Sequence, residues 1–336
     1  MKMKSIVAAC IITCAVSATA QVKLSFNPEE GVEYAYQAEI VQNIVQAAAG
    51  RELPIEETVC LGLQMTVQSK TAELTTAQFI WQDVSYLLSS PMMKMGYDPK
   101  KPAENPNPLD KVHEKIWSSV PGKSFILLIA PDGFVTTVKG INAIKSAIRQ
   151  AVASDEADKS TDLSGSMISE WLGEDAIKGM MEQSFNIYPA NNVKAGDSWT
   201  VKSNYVISNK SANITTVYTL KDISSDFASI EVASTEEYEP AGGLEGKLKG
   251  TQTGILQVDV KTGIPVSSDL MLNIKGDVKQ QNMELFMSMM TKIKTTIQKE
   301  ESSVKLIKTD PEPIWIQPLG LIIQELDVKN ENSFHY

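Results

Sequence analysis

The sequence runs to 336 residues, 43% of them hydrophobic, with 31 basic and 41 acidic side chains and a formal net charge of −10. A chain of this size can build a large core without disulfide staples. Its acidity, with no basic run, excludes nucleic acid and anionic membrane surfaces as partners, because both need clustered Lys and Arg. Two histidines and the one cysteine beyond residue 20, Cys60, are too few for a zinc site of common type.

In chain order, Lys2 and Lys4 precede an apolar run from Ile6 to Val16 and the small-residue pattern Ala18-Thr19-Ala20. That is the layout of an export signal over residues 1–20, cleaved before Gln21. The run is too short for a membrane anchor, which needs about 20 apolar residues, and no later segment approaches that length. Val7-Ala8-Ala9-Cys10 also resembles a lipid-attachment box, but cutting there leaves only a short hydrophobic core, so a soluble leader is the expectation. Cys10 and Cys14 leave with it. Cys60, in the apolar stretch VCLGLQM, is then alone and reads as a small buried hydrophobe.

Beyond the leader, period-two patterning dominates. Val32, Tyr34, Tyr36, Ala38 and Ile40 alternate, as do Ile55, Glu57, Val59, Leu61, Leu63, Met65 and Val67. Leu74, Ile80, Val84, Tyr86 and Leu88 share one parity in a third run. Such alternation predicts strands with one buried face. The stretch DPKKPAENPNP (98–108) carries four prolines and reads as an extended linker. FILLIA and FVTTV, around Pro131-Asp132-Gly133, predict a hairpin.

After Gly140 the period changes to 3.6. Ile141, Ile144, Ile148 and Val152 form one stripe. Leu163, Met167, Ile168, Trp171 and Leu172, then Ile177, Met180 and Met181, form another, interrupted at Gly173. Both predict amphipathic helices, joined by the acidic segment 154–162. That segment lacks the spacing of a calcium loop and reads as a solvated linker.

From Trp199 onward strands return, in the alternations Trp199/Val201/Tyr205/Ile207, Ile214/Thr216/Tyr218/Leu220 and Ala228/Ile230/Val232. LQVDV and IPVSS flank Lys261-Thr262-Gly263 as a hairpin, and Leu270, Leu272, Ile274 and Val278 continue the sheet. The methionine-rich segment from 283 to 297 keeps strict period two, which predicts a long strand rather than a helix.

Three candidate chemistries arise. Gly196-Asp197-Ser198 matches the opening triplet of one esterase family, but it enters an alternating strand. No histidine is suitably paired: Asn332, not Asp, lies three before His335, and His113 is far upstream. The expectation is a turn. Met93/Met95 and Met287/Met289 could offer soft thioether ligands to Cu(I), yet strand alternation also produces such pairs, and core filling is the better reading. Glu236-Glu237-Tyr238-Glu239 reads as a solvated edge or turn rather than a glycosidase pair. No phosphate loop or dinucleotide fingerprint is present. The expected catalytic, metal and cofactor sets are therefore all none.

The succession GVEYAY, FILLIAPDGFVTTVKGINAI, FNIYPANNVKAGDSW and LQVDVKTGIPVSS resembles an uncharacterised family of Bacteroidota envelope proteins, a domain of unknown function, over nearly all of the chain after residue 20. Asp259-Val-Lys-Thr-Gly263 followed by a strand is also similar to the LolA/LolB half-barrels. That likeness implies a curved antiparallel sheet around helices, with a hydrophobic ligand between.

The residues themselves lead to a compatible picture. Long strands with one apolar face must bury it on something, and the helices between 141 and 185 are what the chain offers. The expected fold is α+β: a predominantly antiparallel, curved open or half-barrel sheet with two to three helices on its concave side. It forms one domain over 21–336 with a helical insertion around 108–185. The expected function is non-catalytic, in the periplasm or associated with the outer membrane. The expected partner is an apolar or lipidic ligand bounded by Trp171, Met180, Met181 and Met167. The alternatives are a structural or interaction protein with a filled core, and a hydrolase whose carboxylates the sequence does not locate.

Overall fold

The computed structural model describes residues 21–48, 51–104, 106–153, 172–207, 210–239, 245–280 and 283–300. The export leader, the acidic segment 154–162, Met167 and Trp171 lie outside the described residues. One antiparallel sheet organises the rest. Its strands are β1 (Glu33–Ala48), β2 (Arg51–Lys70), β3 (Thr75–Ser89), β4 (Lys94–Tyr97), β5 (Ser124–Ile129), β6 (Val135–Lys139), β7 (Ser198–Ile207), β8 (Lys210–Ile223), β9 (Phe227–Tyr238), β10 (Glu245–Gly246), β11 (Leu248–Asp259), β12 (Pro265–Gln280) and β13 (Met283–Lys299). Three helices accompany them: α1 (Pro108–Ser118), α2 (Ile141–Val152) and α3 (Glu174–Phe185).

The order across the sheet is β6-β5-β3-β2-β1-β13-β12-β11-β9-β8-β7, with β4 on β3 and β10 on β12. Two meanders are thus fused at the middle, where β13 returns to pair with β1 from Tyr34 opposite Lys299 to Ala47 opposite Phe286. The sheet stays open, with edges at β6 and β7. Helix α3 packs against both. Gly179 lets it approach β7, since a Cβ there would already lie 3.4 Å from the Tyr205 ring. At its other end the Ser184 hydroxyl reaches Tyr36 on central strand β1, at 3.3 Å. The helix therefore lies on the concave side, across the mouth of the half-barrel.

Alternation assigns the two faces. Along β13, Leu285, Met287, Met289, Thr291, Ile293, Thr295 and Ile297 are buried, confirming a strand. Outward positions on the central strands carry Asp269, Asn273, Lys275, Glu231, Glu237, Lys292 and Lys294. Cross-strand ion pairs join Lys294 to Asp269 (3.3 Å) and Lys221 to Glu231 (3.1 Å). An apolar inside and an outside where charges interrupt the exposed Leu87, Val217, Ile255, Phe286 and Met290 differ from a lipid-embedded barrel, whose outward side chains form a continuous apolar band.

The first meander is packed solid. Phe79 stacks on Phe125 with ring centroids 5.2 Å apart, Trp81 leans on Phe125, and Phe26 and Phe185 complete the cluster. Helix α1 adds Trp117 and His113 against Tyr86. The segment before β1 closes this end: Phe26 N–H donates to Pro131 O, Asn27 N–H to Thr262 O, and Val22 bridges Val193. It therefore ties the β5–β6 turn, the α3–β7 connection and the β11–β12 hairpin together. Gly263, at φ +70°, is required here, because a Cβ would lie 1.8 Å from Ser25 O.

Three sequence expectations need correction. The third apolar run does not keep one parity: Thr75, Ala77, Phe79 and Trp81 face the core, then Val84, Tyr86 and Leu88 do. A bulge opposite Gly62/Leu63 skips Gln82 in the pairing and shifts the face by one residue, so Ile80 turns outward. The proline-rich stretch ends in a helix: Pro108 opens α1, behind an Asn107/Asp110 capping box, where a missing N–H costs nothing. Cys60 is half-buried on the convex parity rather than in the core, and burial raises its thiol pKa, which disfavours the reactive thiolate.

Candidate functional site

The second meander is less completely filled. Between its concave face and the C-terminal half of α3 lies a cavity of about 60 Å³, room for roughly four waters if each needs about 15 Å³. Apolar side chains line much of it, including Val201, Tyr205, Leu256, Leu270, Ile293 and Ile297. Among them sit Glu182 from α3, Glu236 from β9 and Gln252 from β11, with Thr216 and Thr295. No Lys, Arg or His belongs to the lining.

Each polar group arrives by register. Ala228, Ile230, Val232, Ser234, Glu236 and Tyr238 share the inward parity of β9, so a carboxyl at position 236 must point inside. Glu236 is only 3% exposed. Its oxygen Oε2 accepts from the Tyr238 hydroxyl, and burial pushes its pKa up to about 8. The reading of Glu236–Glu239 as a solvated edge is thereby corrected for Glu236, while Glu237 does face outward and pairs with Lys247 at 3.3 Å.

Glu182, 4% exposed, is raised to about 7, first by burial, with Lys178 one helical turn away at 3.8 Å opposing the shift. Gln252 is 8% exposed, and no described residue bonds its amide. The hydroxyls are better satisfied: Thr216 and Ser234 meet at 2.9 Å, Ser268 and Thr295 at 2.7 Å. Burial also raises the phenol pKa of Tyr205 and Tyr218. This is a largely desolvated chamber whose two carboxyls burial drives toward the neutral form, with no cation in its lining.

Of the sequence-predicted site residues, Met180 and Met181 fall elsewhere, and Met167 and Trp171 lie outside the described residues. Met181 is fully buried and Met180 nearly so, both within the hydrophobic core, and neither lines the cavity. The same helix presents Glu182, Gln183 and Ser184 to it instead. Met287 and Met289 point into the core from β13, as does Met95 from β4. Ser198 begins β7 behind Gly196 at φ +92°. Asp197 Oδ2 accepts from Lys194 N–H at 3.0 Å, and Ser198 Oγ lies 2.8 Å from Thr219 Oγ1. That is the turn-then-strand geometry its context predicts.

A wider crevice of about 700 Å³ runs outside the β7 edge, along residues 186–193 and Asp132–Phe134. It is open to solvent. Among the described residues, no group of three or more His, Cys, Asp and Glu side chains could hold a metal ion, and no helix is long and apolar enough to cross a membrane.

No curated protein matches the sequence. Among solved structures the chain is similar to lipovitellin (8% identity, TM-score 0.45), with 91% of this chain covered but only 30% of that one. It also aligns with the translocator domain of the autotransporter NalP from Neisseria meningitidis (6%, TM-score 0.30, covering 80% of this chain and 88% of that one). An outer-membrane channel from Pseudomonas putida F1 is a third (9%, TM-score 0.24, 81% and 97%). The sequence itself is more decisive: the model of a family of unknown function, DUF6263, matches residues 73–265, from the start of the third strand to the β11–β12 hairpin, and the chain belongs to that family.

Proposed function

We propose that this protein is a non-catalytic component of the cell envelope that holds an apolar or lipidic ligand inside the half-barrel, between the second meander and α3. The observation that carries this reading is the polarity of the sheet. Its concave face is mostly apolar, its convex face mixes charged side chains with exposed Ile255, Phe286 and Met290, and a small, partly open cavity remains where sheet and helix part. A partly apolar chamber with a few convergent polar groups is the usual form of a small-molecule site. The envelope address rests on the export signal read at residues 1–20.

A second reading, a structural or interaction protein with a filled core, is favoured by the aromatic packing of the first meander and by the small size of the cavity. A carboxylate hydrolase is the least supported. Glu182 and Glu236 line one space, but glycosidase chemistry needs one of its two carboxyls held ionised as nucleophile or base, and burial raises both of these.

Native mass spectrometry and lipid extraction of protein purified from its own envelope separate the first two readings. An amphiphile bound in stoichiometric amount supports the binder. A bare polypeptide mass, together with tryptophan emission indifferent to added fatty acids and phospholipids, supports the structural protein. Trp199 is a suitable reporter, since it stacks on Tyr218 of the cavity wall with ring centroids 5.7 Å apart.

A further inference from the structure

We infer that residues 319–326 of this chain add as a further strand to the open sheet edge at β7, lying in the crevice outside it. The inference goes beyond the ligand reading and does not depend on it.

Strand β7 pairs only with β8. It runs for ten residues, whereas the opposite edge, β6, runs for five. Every second N–H and C=O along an edge strand points away from the sheet, which makes the edge a template for another strand. The crevice beside β7 offers apolar ground from Phe134, Tyr188, Pro189, Val193, Trp199 and Val201, and Phe134 is exposed. At such a site backbone pairing supplies affinity, and pockets for alternate side chains supply selectivity.

The chain itself carries a suitable occupant. Residues 301–336, outside the described residues, contain PLGLIIQEL at 318–326. Pro311, Pro313 and Pro318 lack the N–H that pairing needs, so the strand-forming stretch starts at Leu319. Leu319, Leu321 and Ile323 then share one parity, and no charge intervenes before Glu325.

Reach is sufficient. Strand β13 ends where Lys299 meets Glu29 at 3.0 Å and Glu300 N–H donates to Glu33 O. Three residues before Glu29, Phe26 bonds Pro131, the neighbour of Asp132 on the crevice wall. Residues 301–318 can span up to about 60 Å when extended, far more than those few residue lengths. A second copy fits less well. Pairing β7 with itself sets two Lys202 side chains, exposed at mid-edge, on one seam, and edge lysines guard against such pairing.

The intact chain carries the test. With p-benzoylphenylalanine in place of Thr200, which is exposed on β7, irradiation should crosslink to peptides spanning 319–326. In an equal mixture of isotopically heavy and light protein, those crosslinks should join segments of the same label. Hydrogen exchange of peptides covering 199–205 should quicken at least tenfold in Leu321→Asp/Ile323→Asp, with β1 and β13 unchanged. Mixed-label crosslinks, or none to 319–326, overturn the inference, as does β7 exchange equal in the two proteins. If the double variant loosens every strand alike, the crosslinks in the otherwise unaltered chain decide by themselves.

Discussion

Replacing Glu236 by Gln should stabilise the protein, and increasingly so as pH rises. In the unfolded chain this carboxyl titrates at its ordinary 4.5; in the folded chain burial holds it at about 8. A group whose folded pKa is raised makes its full contribution below 4.5, and that contribution is lost progressively as pH climbs toward 8. The loss is about 1.4 kcal/mol per pH unit, hence about 3 kcal/mol at pH 7. Gln removes the titration while its carbonyl oxygen can still accept from Tyr238. Its amide must find a partner in the cavity, which takes back about 1 kcal/mol. The expected net gain is therefore about 2 kcal/mol at pH 7, more at pH 8, and none at pH 5. Urea denaturation of both proteins at the three pH values measures it, with ΔG read by linear extrapolation. A gain independent of pH, or a loss at pH 8, would refute the claim that the Glu236 carboxyl is buried without a cation.

His113, stacked on Tyr86 at 5.2 Å and lowered to about 4 by burial, contributes stability that is present above pH 6.5 and lost as pH falls toward 4. His113→Phe should therefore gain about 2 kcal/mol over wild type at pH 5 relative to pH 8, measured by the same urea series. Gly263→Ala places a Cβ against Ser25 O at a positive φ and should cost more than about 1 kcal/mol; limited proteolysis should then open the chain before Glu33 first. Ser198→Ala should leave stability within about 0.5 kcal/mol, as for an exposed site, and a fluorophosphonate probe should leave Ser198 unlabelled in wild type. N-terminal sequencing of the exported protein should begin at Gln21, and a diacylated Cys10 would contradict the soluble leader.

Most of the fold is legible in the sequence because alternation reports a buried face directly. The runs at 32–40, 55–67, 199–207, 214–220, 228–232 and 283–297 are all strands, the stripe after Gly140 marks α2, and Ile177, Met180 and Met181 mark α3. What escapes is whatever the pattern does not encode locally. The β3 bulge is set by pairing with Gly62/Leu63 on the neighbouring strand, so Ile80 cannot be placed from its own surroundings. Helix α1 is hidden by its prolines, although Asn107-Pro108 with Asp110 carries a legible capping signal. The pairing of β1 with β13, which fuses the two meanders, joins residues more than 200 positions apart and leaves no trace in either segment.

The candidate site is hard to read for a different reason. Apolar residues on a helix facing a sheet, such as Met180 and Met181, suggest a cavity wall, but such residues are also what fills a core, and here they do. The informative residue is the one that breaks the rule. Extending the Ala228, Ile230, Val232 alternation by two steps reaches Ser234 and Glu236, so parity alone places a carboxyl on the inner face. Its neighbours Glu237 and Glu239 disguise this by making the segment look solvated. In a strand, though, successive side chains face opposite sides, and charge density along the chain says nothing about which of them is buried. Glu57 of β2 obeys the same logic: it sits on an apolar parity and is buried. Polar residues on the inward parity of an otherwise apolar strand thus mark where the inner face departs from a plain apolar core, at Gln42 and Glu57 as well as at Glu236. The two meanders still differ, since Glu236, Gln252, Thr216 and Thr295 of the second line the cavity, whereas Gln42 and Glu57 of the first, also buried on the inward parity, do not.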